Sequence, residues 1–467
     1  MTNICKTNAA RPGQIDAALS AMERGQSSAT ELLAQAQEKH DEHQALNPIA
    51  HVDWNGARAQ ARALDEQRAH RQSAGASMPP LMGIPLTVKD LFSVSGMPMA
   101  AGTRAPLPAF AGTESTLVTR LKRAGALIFA KTNMHEIALG ATGENEWTGD
   151  VCNPFNPAHQ AGGSSSGAGV CAATGIGLGG VGSDTGGSVR IPAAFCGISG
   201  FKPSFGAIPL DNALYLSWTC DHAGPLAPTV ADCTRLFEVM SGRSCAHGNP
   251  PRSPRLGIPY NWLKGRLSEA MQAHFDRALA YLNAQGVVLV DCPLPELPSA
   301  WICYSPIVRA EAATIHKAAL AGEATGFSAA VLGPMRAGQK ISAVEYLEAM
   351  QMRDRVRADL DAALKGIDAL LLPTTAVAPP LRGQEEVTVI HGKTSVREAV
   401  LGQTLPFSLC GLPSLSVPSG FTEGTGRADE PAGLPLSLSL IGSFNADAAL
   451  LALGAWLEGQ LDQLSVS

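Results

Sequence analysis

The run Thr185-Gly186-Gly187-Ser188 sets a serine hydroxyl at the end of a glycine-rich turn. Glycine amides carry no Cβ, so successive N–H groups there can converge on an anion. Such a run would bind a transient oxyanion and offer a nucleophile at the same point, as acyl transfer requires. A serine nucleophile also needs a base. Lys89 ends the apolar run Gly83-Ile84-Pro85-Leu86-Thr87-Val88, where burial would depress its pKa toward a neutral amine. On local sequence the plainer reading of Lys89 is a strand-end lysine that keeps its head in water. A second arrangement competes for the nucleophile. Gly163-Ser164-Ser165-Ser166-Gly167 fits G-x-S-x-G, with Ser165 at the elbow and His222, His247, His274, His316 or His391 as base. Its lead-in, Asn156-Pro157-Ala158-His159-Gln160, is polar and proline-broken, unlike the buried strand that an elbow needs.

Other short patterns lack their context. Gly175-Ile176-Gly177-Leu178-Gly179-Gly180 fits G-x-G-x-x-G, but no strand reads before it, and beyond Asp184 the next acidic residue is Asp211. Ser199-Gly200-Phe201-Lys202 fits S-x-x-K without the companion K-T-G, Lys393-Thr394-Ser395 being the nearest match. His135-Glu136 has no second histidine at the zinc-protease spacing.

The chain that must position these residues has 467 residues, 45% of them apolar and only 16% charged. That balance predicts a large buried core and opposes disorder. The net charge of −6 argues against a nucleic-acid scaffold or a polybasic membrane anchor. The 10 cysteines form no C-x-x-C and read as free thiols of a reducing compartment. No apolar leader opens the chain and no run is long enough to span a membrane, so a cytoplasmic location is expected.

Helices are predicted around Ile15, Leu19 and Met22, after the capping pair Ser28 and Glu31, and over 55–70, 116–124, 344–357 and 448–461. Strands are predicted at 49–52, 83–88, 126–130, 369–372 and 434–441, and a surface loop at 419–431. Residues 151–183 hold no Asp, Glu, Lys or Arg. Their interleaved Val170, Cys171, Ile176, Leu178 and Val181 mark a buried segment rather than a linker. The alternation predicts an α/β unit with a parallel or mixed sheet.

Over Gly83–Asp90, Thr113–Glu136, Gly162–Pro203 and, more weakly, Leu412–Gly442, the chain resembles the amidase signature family. The densest match runs Gly162-Gly163-Ser164-Ser165-Ser166-Gly167, then Gly182-Ser183-Asp184-Thr185-Gly186-Gly187-Ser188-Val189-Arg190-Ile191-Pro192-Ala193, then Gly200-Phe201-Lys202-Pro203. The resemblance implies a Ser–cis-Ser–Lys triad, with Ser188 as nucleophile, Ser164 as the bridging serine in a cis peptide and Lys89 as base. The N–H groups of Thr185, Gly186, Gly187 and Ser188 are then the candidates for the oxyanion hole. Ser165, Asp184 and Arg190 are expected in support, the last two bracing the loop. Ser408 and Ser439 stand where the family often has asparagine and glutamine.

The implied fold is a single α/β domain over 1–467, with a mixed central β-sheet surrounded by helices. Its signature core is expected at 83–210, a variable helical region at 241–365 and C-terminal strands and helix at 366–461. The implied activity is hydrolysis of an amide C–N bond, with esters and carbamates (urethanes) open to the same attack and no metal or organic cofactor needed. Small molecules are the expected partners, with no direct nucleic-acid or membrane contact, for a monomer or homodimer. The alternatives are the glutaminase subunit of a tRNA-dependent amidotransferase and a non-catalytic assembly subunit, which the intact triad opposes. Pocket walls are expected around Trp147, 210–218 and 300–337.

Overall fold

Strands with both faces covered read as unbroken apolar runs, and the centre of this molecule is built from such runs. The computed structural model describes residues 13–245, 251, 253–294, 298–423 and 432–464. The opening residues 1–12 and residues 424–431 of the expected surface loop lie outside the described residues. The first strands are β1 Ile49–Val52, β2 Pro85–Lys89, β3 Leu127–Thr132, β4 Gly180–Asp184, β5 Ser199–Lys202, β6 His222–Ala227 and β7 Arg255–Ile258. The set continues with β8 Val288–Asp291, β9 Ala369–Pro373, β10 Glu386–Val389, β11 Gly392–Ser395, β12 Ser414–Phe421 and β13 Pro435–Ile441. Among the described residues one sheet has eleven strands, ordered β1-β3-β2-β4-β6-β5-β12-β13-β9-β7-β8, while β10 and β11 form a separate hairpin.

The large sheet is mixed. β2 runs parallel to β3 and β4, and β7 parallel to β8 and β9. The six remaining pairings are antiparallel. Every residue of β2, β3, β4, β9 and β13 is buried. Helices pack on the sheet and complete a single α/β domain. The region 241–365, expected to be helical, also contributes β7 and β8 to the sheet edge. Both are four residues long, too short for periodicity to declare them.

The uncharged segment is interior over 161–172, where every residue is buried, while 155, 157 and 158 at its start are exposed. Its helix, Ser166–Thr174, consists mostly of Gly, Ala and Ser. Small side chains let it lie close to β4, and a Cβ on Gly180 would stand 3.3 Å from Ala168 Cβ. The glycine motif at 175–180 therefore follows a helix and enters a strand, the reverse of the dinucleotide-binding order. Among the described residues no helix is long and apolar enough to cross a membrane.

Candidate active site

Three segments converge at the C-terminal end of β2. The strand delivers Lys89 into the interior with no exposed surface, so the solvent-reaching reading of this lysine fails. Its Nζ donates to Ser164 Oγ at 2.6 Å, Ser183 Oγ at 2.8 Å and Ser165 Oγ at 2.9 Å. An ammonium has three donors, and here each meets a hydroxyl rather than a carboxylate. Burial lowers the Lys89 pKa to about 7, against the pull of Asp221 and Asp184, which favour the charged form.

The Gly163–Ser164 peptide bond is cis. Ser165 links the cluster to β4: its hydroxyl donates to Ser183 O at 3.1 Å and accepts the Ser183 N–H at 3.2 Å. The side chain fits because residue 182 is glycine, where a Cβ would come within 2.8 Å of Ser165 Oγ. No strand leads into Ser165, and its hydroxyl is taken up by Lys89 and Ser183, which removes the histidine-assisted elbow. Ser183 is a member of this cluster that sequence reading missed, hidden in a run of small residues.

Ser188 lies just past β4. Its carbonyl accepts the Ser165 N–H at 3.2 Å, while its hydroxyl makes no hydrogen bond among the described residues. The four N–H groups of Thr185, Gly186, Gly187 and Ser188 likewise find no acceptor among them. Buried amides are paired as a rule, so a row of four open donors is a place where a ligand atom fits. Thr185, Gly186 and Ser188 line a cavity of about 380 Å³.

Two carboxylates hold this turn. Asp184 accepts from Arg190 Nε at 3.0 Å and Nη2 at 2.9 Å, from Val189 N at 3.1 Å and from Ser408 Oγ at 2.8 Å. Burial alone would raise its pKa, but the guanidinium overrides this and holds the carboxyl well below the usual range. Asp184 and Arg190 are fully buried, stay off the cavity wall and bond each other and the loop. Asp221 accepts the Thr185 hydroxyl at 2.6 Å and the N–H groups of Leu216 and Ser217 at 2.8 and 3.0 Å. Burial pushes its pKa up to about 7. Thr404 Oγ1 donates to Gly186 O at 2.6 Å. Neither Asp221 nor Thr404 carries a sequence signal, since each acts on a loop far along the chain.

The cavity wall includes Leu216 from the expected 210–218 segment and Tyr304, Val308, Arg309 and Pro334 from 300–337. It also includes 138–142 and 395–397, which sequence reading did not anticipate. Trp147 is not on it: its Nε1 donates to Glu136 Oε1 at 3.0 Å and the Arg104 guanidinium covers its ring at 4.9 Å. His135 lines the cavity. Burial, aided by the Lys89 charge, lowers its pKa to about 4 and leaves a neutral imidazole. Among the described residues no group of three or more His, Cys, Asp or Glu converges as a metal site requires.

A family model described as Amidase matches residues 31–451. The chain belongs to the amidase signature family. A solved structure described as a crystal structure of amidase superposes with a TM-score of 0.90 at 44% identity, covering 96% of this chain and 99% of that one. The chain is 34% identical to an indoleacetamide hydrolase of Agrobacterium vitis, over 89% of its own length and 90% of that protein. It is 32% identical to a glutamyl-tRNA(Gln) amidotransferase subunit of Synechococcus sp. strain WH7803, over 91% and 94%. Membership of the amidase signature family supports hydrolysis of amide C–N bonds.

Proposed function

We propose that the cavity beside Ser188 hydrolyses small-molecule amides through an acyl-enzyme. The observation that carries this is the contact of a fully buried Lys89 with Ser164 at 2.6 Å, behind a serine that opens on a cavity. With Lys89 neutral, its amine takes the Ser164 proton as Ser164 takes the proton of Ser188. Ser188 Oγ bonds to the carbonyl carbon, and the carbonyl oxygen, now negative, lies against the open N–H groups of 185–188. Collapse breaks the C–N bond, and the leaving amine regains a proton through Ser164. Water then attacks the acyl group by the same relay and frees the acid. Ser188 Oγ has no hydrogen-bond partner among the described residues, so the Ser188–Ser164 link is the one that substrate must tighten, as is common in sites without a ligand.

Esters and carbamates present the same carbonyl and leave as alcohol or amine, so this machinery extends to both. A glutaminase role within a tRNA-dependent amidotransferase is the second reading, and likeness to the Synechococcus protein favours it. Intact-mass and peptide mapping after treatment with a fluorophosphonate tests the common chemistry. One adduct on Ser188, lost in Lys89→Ala, is expected. An adduct on Ser165, or none, overturns the assignment. Release of ammonia from glutamine without turnover of other amides would favour the second reading.

A further inference from the structure

The helix Pro298–Ile315 turns one stripe toward the cavity, with Tyr304, Val308 and Arg309 on the wall. Two of these carry polar groups that no described residue engages. The Tyr304 hydroxyl and the Arg309 guanidinium make no hydrogen bond or ion pair among the described residues. Tyr304 is buried, at 6% exposure, and Arg309 is partly exposed. A guanidinium that faces a cavity without a partner among the described residues can meet a planar anion there, which its fork binds at two points.

The other charges on the wall do not fill that role. Glu144 is engaged, its carboxylate accepting the Gly383 N–H at 2.6 Å. Glu385 and Arg397 are exposed, so their charges are hydrated whether or not a ligand is present.

The helix also supplies a length. The Tyr304 hydroxyl lies 2.7 Å from where a Cβ on Gly186 would stand, so it marks the scissile end of the cavity. Arg309 is five residues further along, and at a rise of 1.5 Å per residue that is roughly 7.5 Å down the helix axis. We propose that the site takes amides bearing a carboxylate several bonds from the scissile carbonyl, and that Arg309 receives that carboxylate. This substrate class rests on the amidase reading above.

Two matched pairs of probes test it: adipic acid mono-p-nitroanilide against hexanoic p-nitroanilide, and 4-(hexanoylamino)benzoate against hexanoylanilide. The first pair places the charge on the acyl side and the second on the amine side. Affinities are measured by calorimetry on Ser188→Ala, and kcat/KM on the wild type. In at least one pair the charged probe is expected to bind Ser188→Ala about tenfold tighter than its neutral twin, the worth of one charge-assisted contact. Adding Arg309→Gln should bring the twins level, and Arg309→Lys should restore part of the gap. Twins that bind alike in both pairs, or a preference that survives Arg309→Gln, overturn the anion site. If the preference holds while the wild type cleaves none of the four, the anion site stands and the amidase reading falls.

Discussion

The hydroxyl of Thr404 donates to the carbonyl oxygen of Gly186 at 2.6 Å across 218 positions of sequence. A trans peptide points its C=O and the following N–H in opposite directions. Anchoring the Gly186 oxygen therefore fixes where the Gly187 N–H aims. Both residues are glycines, so nothing local would stop that peptide from turning over. Gly187 has φ +147°, and a Cβ there would collide with Thr404 Oγ1.

Replacing Thr404 with valine keeps the volume and removes the anchor. We expect kcat to fall about tenfold or more, since one misaimed oxyanion donor is worth that much, with KM changing less than about twofold. Steady-state kinetics on an activated anilide checks it. An unchanged kcat would show that the loop holds its own geometry.

The pH dependence follows from Lys89. In the proposed relay it acts as a base, which it can do only when neutral, and burial sets its pKa to about 7. The rate should therefore rise with pH, with a slope near one in log kcat/KM below about 7, and level off above it. A profile flat from pH 5.5 to 8.5 would mean that another group takes the proton.

Ser183 offers a test of how that value is set. Its hydroxyl accepts one of the three N–H bonds of Lys89 at 2.8 Å. An acceptor favours the charged amine, so Ser183→Ala should move the rising limb to lower pH while the plateau changes little. A purely structural role would lower the plateau and leave the limb in place.

Arg190 and Asp184 form a fully buried pair. Arg190→Met leaves the carboxylate in the interior without its partner and should cost about 3–5 kcal/mol. Asp184→Asn/Arg190→Met should cost less than the sum of the two single changes. Thermal and urea unfolding measure both, and additive costs would rule out direct coupling.

Much of this frame is legible in the chain because burial writes long signals. Leu86 and Val88 announce β2, and Leu370, Leu371 and Leu372 announce β9. The strand β4, Gly-Val-Gly-Ser-Asp, gives no such sign, since its burial comes from the helix Ser166–Thr174 pressed on it. The resemblance singles out Lys89, Ser164 and Ser188 by their neighbours in sequence. It does not reveal that Ser183 shares the lysine, because that contact depends on the register of β2 against β4. Thr404 and Asp221 are silent for the same reason: a hydroxyl or carboxylate that steadies a loop over a long separation has no local pattern. The cavity wall at 138–142 and 395–397 consists of connections and a short helix, placed by tertiary packing rather than by periodicity.

Synthesis from the N-terminus gives the Thr404 contact a further meaning. Lys89, Ser164 and Ser188 all leave the ribosome well over a hundred residues before Thr404 and Ser408, which steady the turn around Ser188. A nascent or truncated chain that stops short of them carries every group of the proposed relay and lacks the anchors that aim the amides proposed for the oxyanion. On the proposed mechanism, hydrolytic competence is thereby deferred until the stretch around Thr404 and Ser408 has docked.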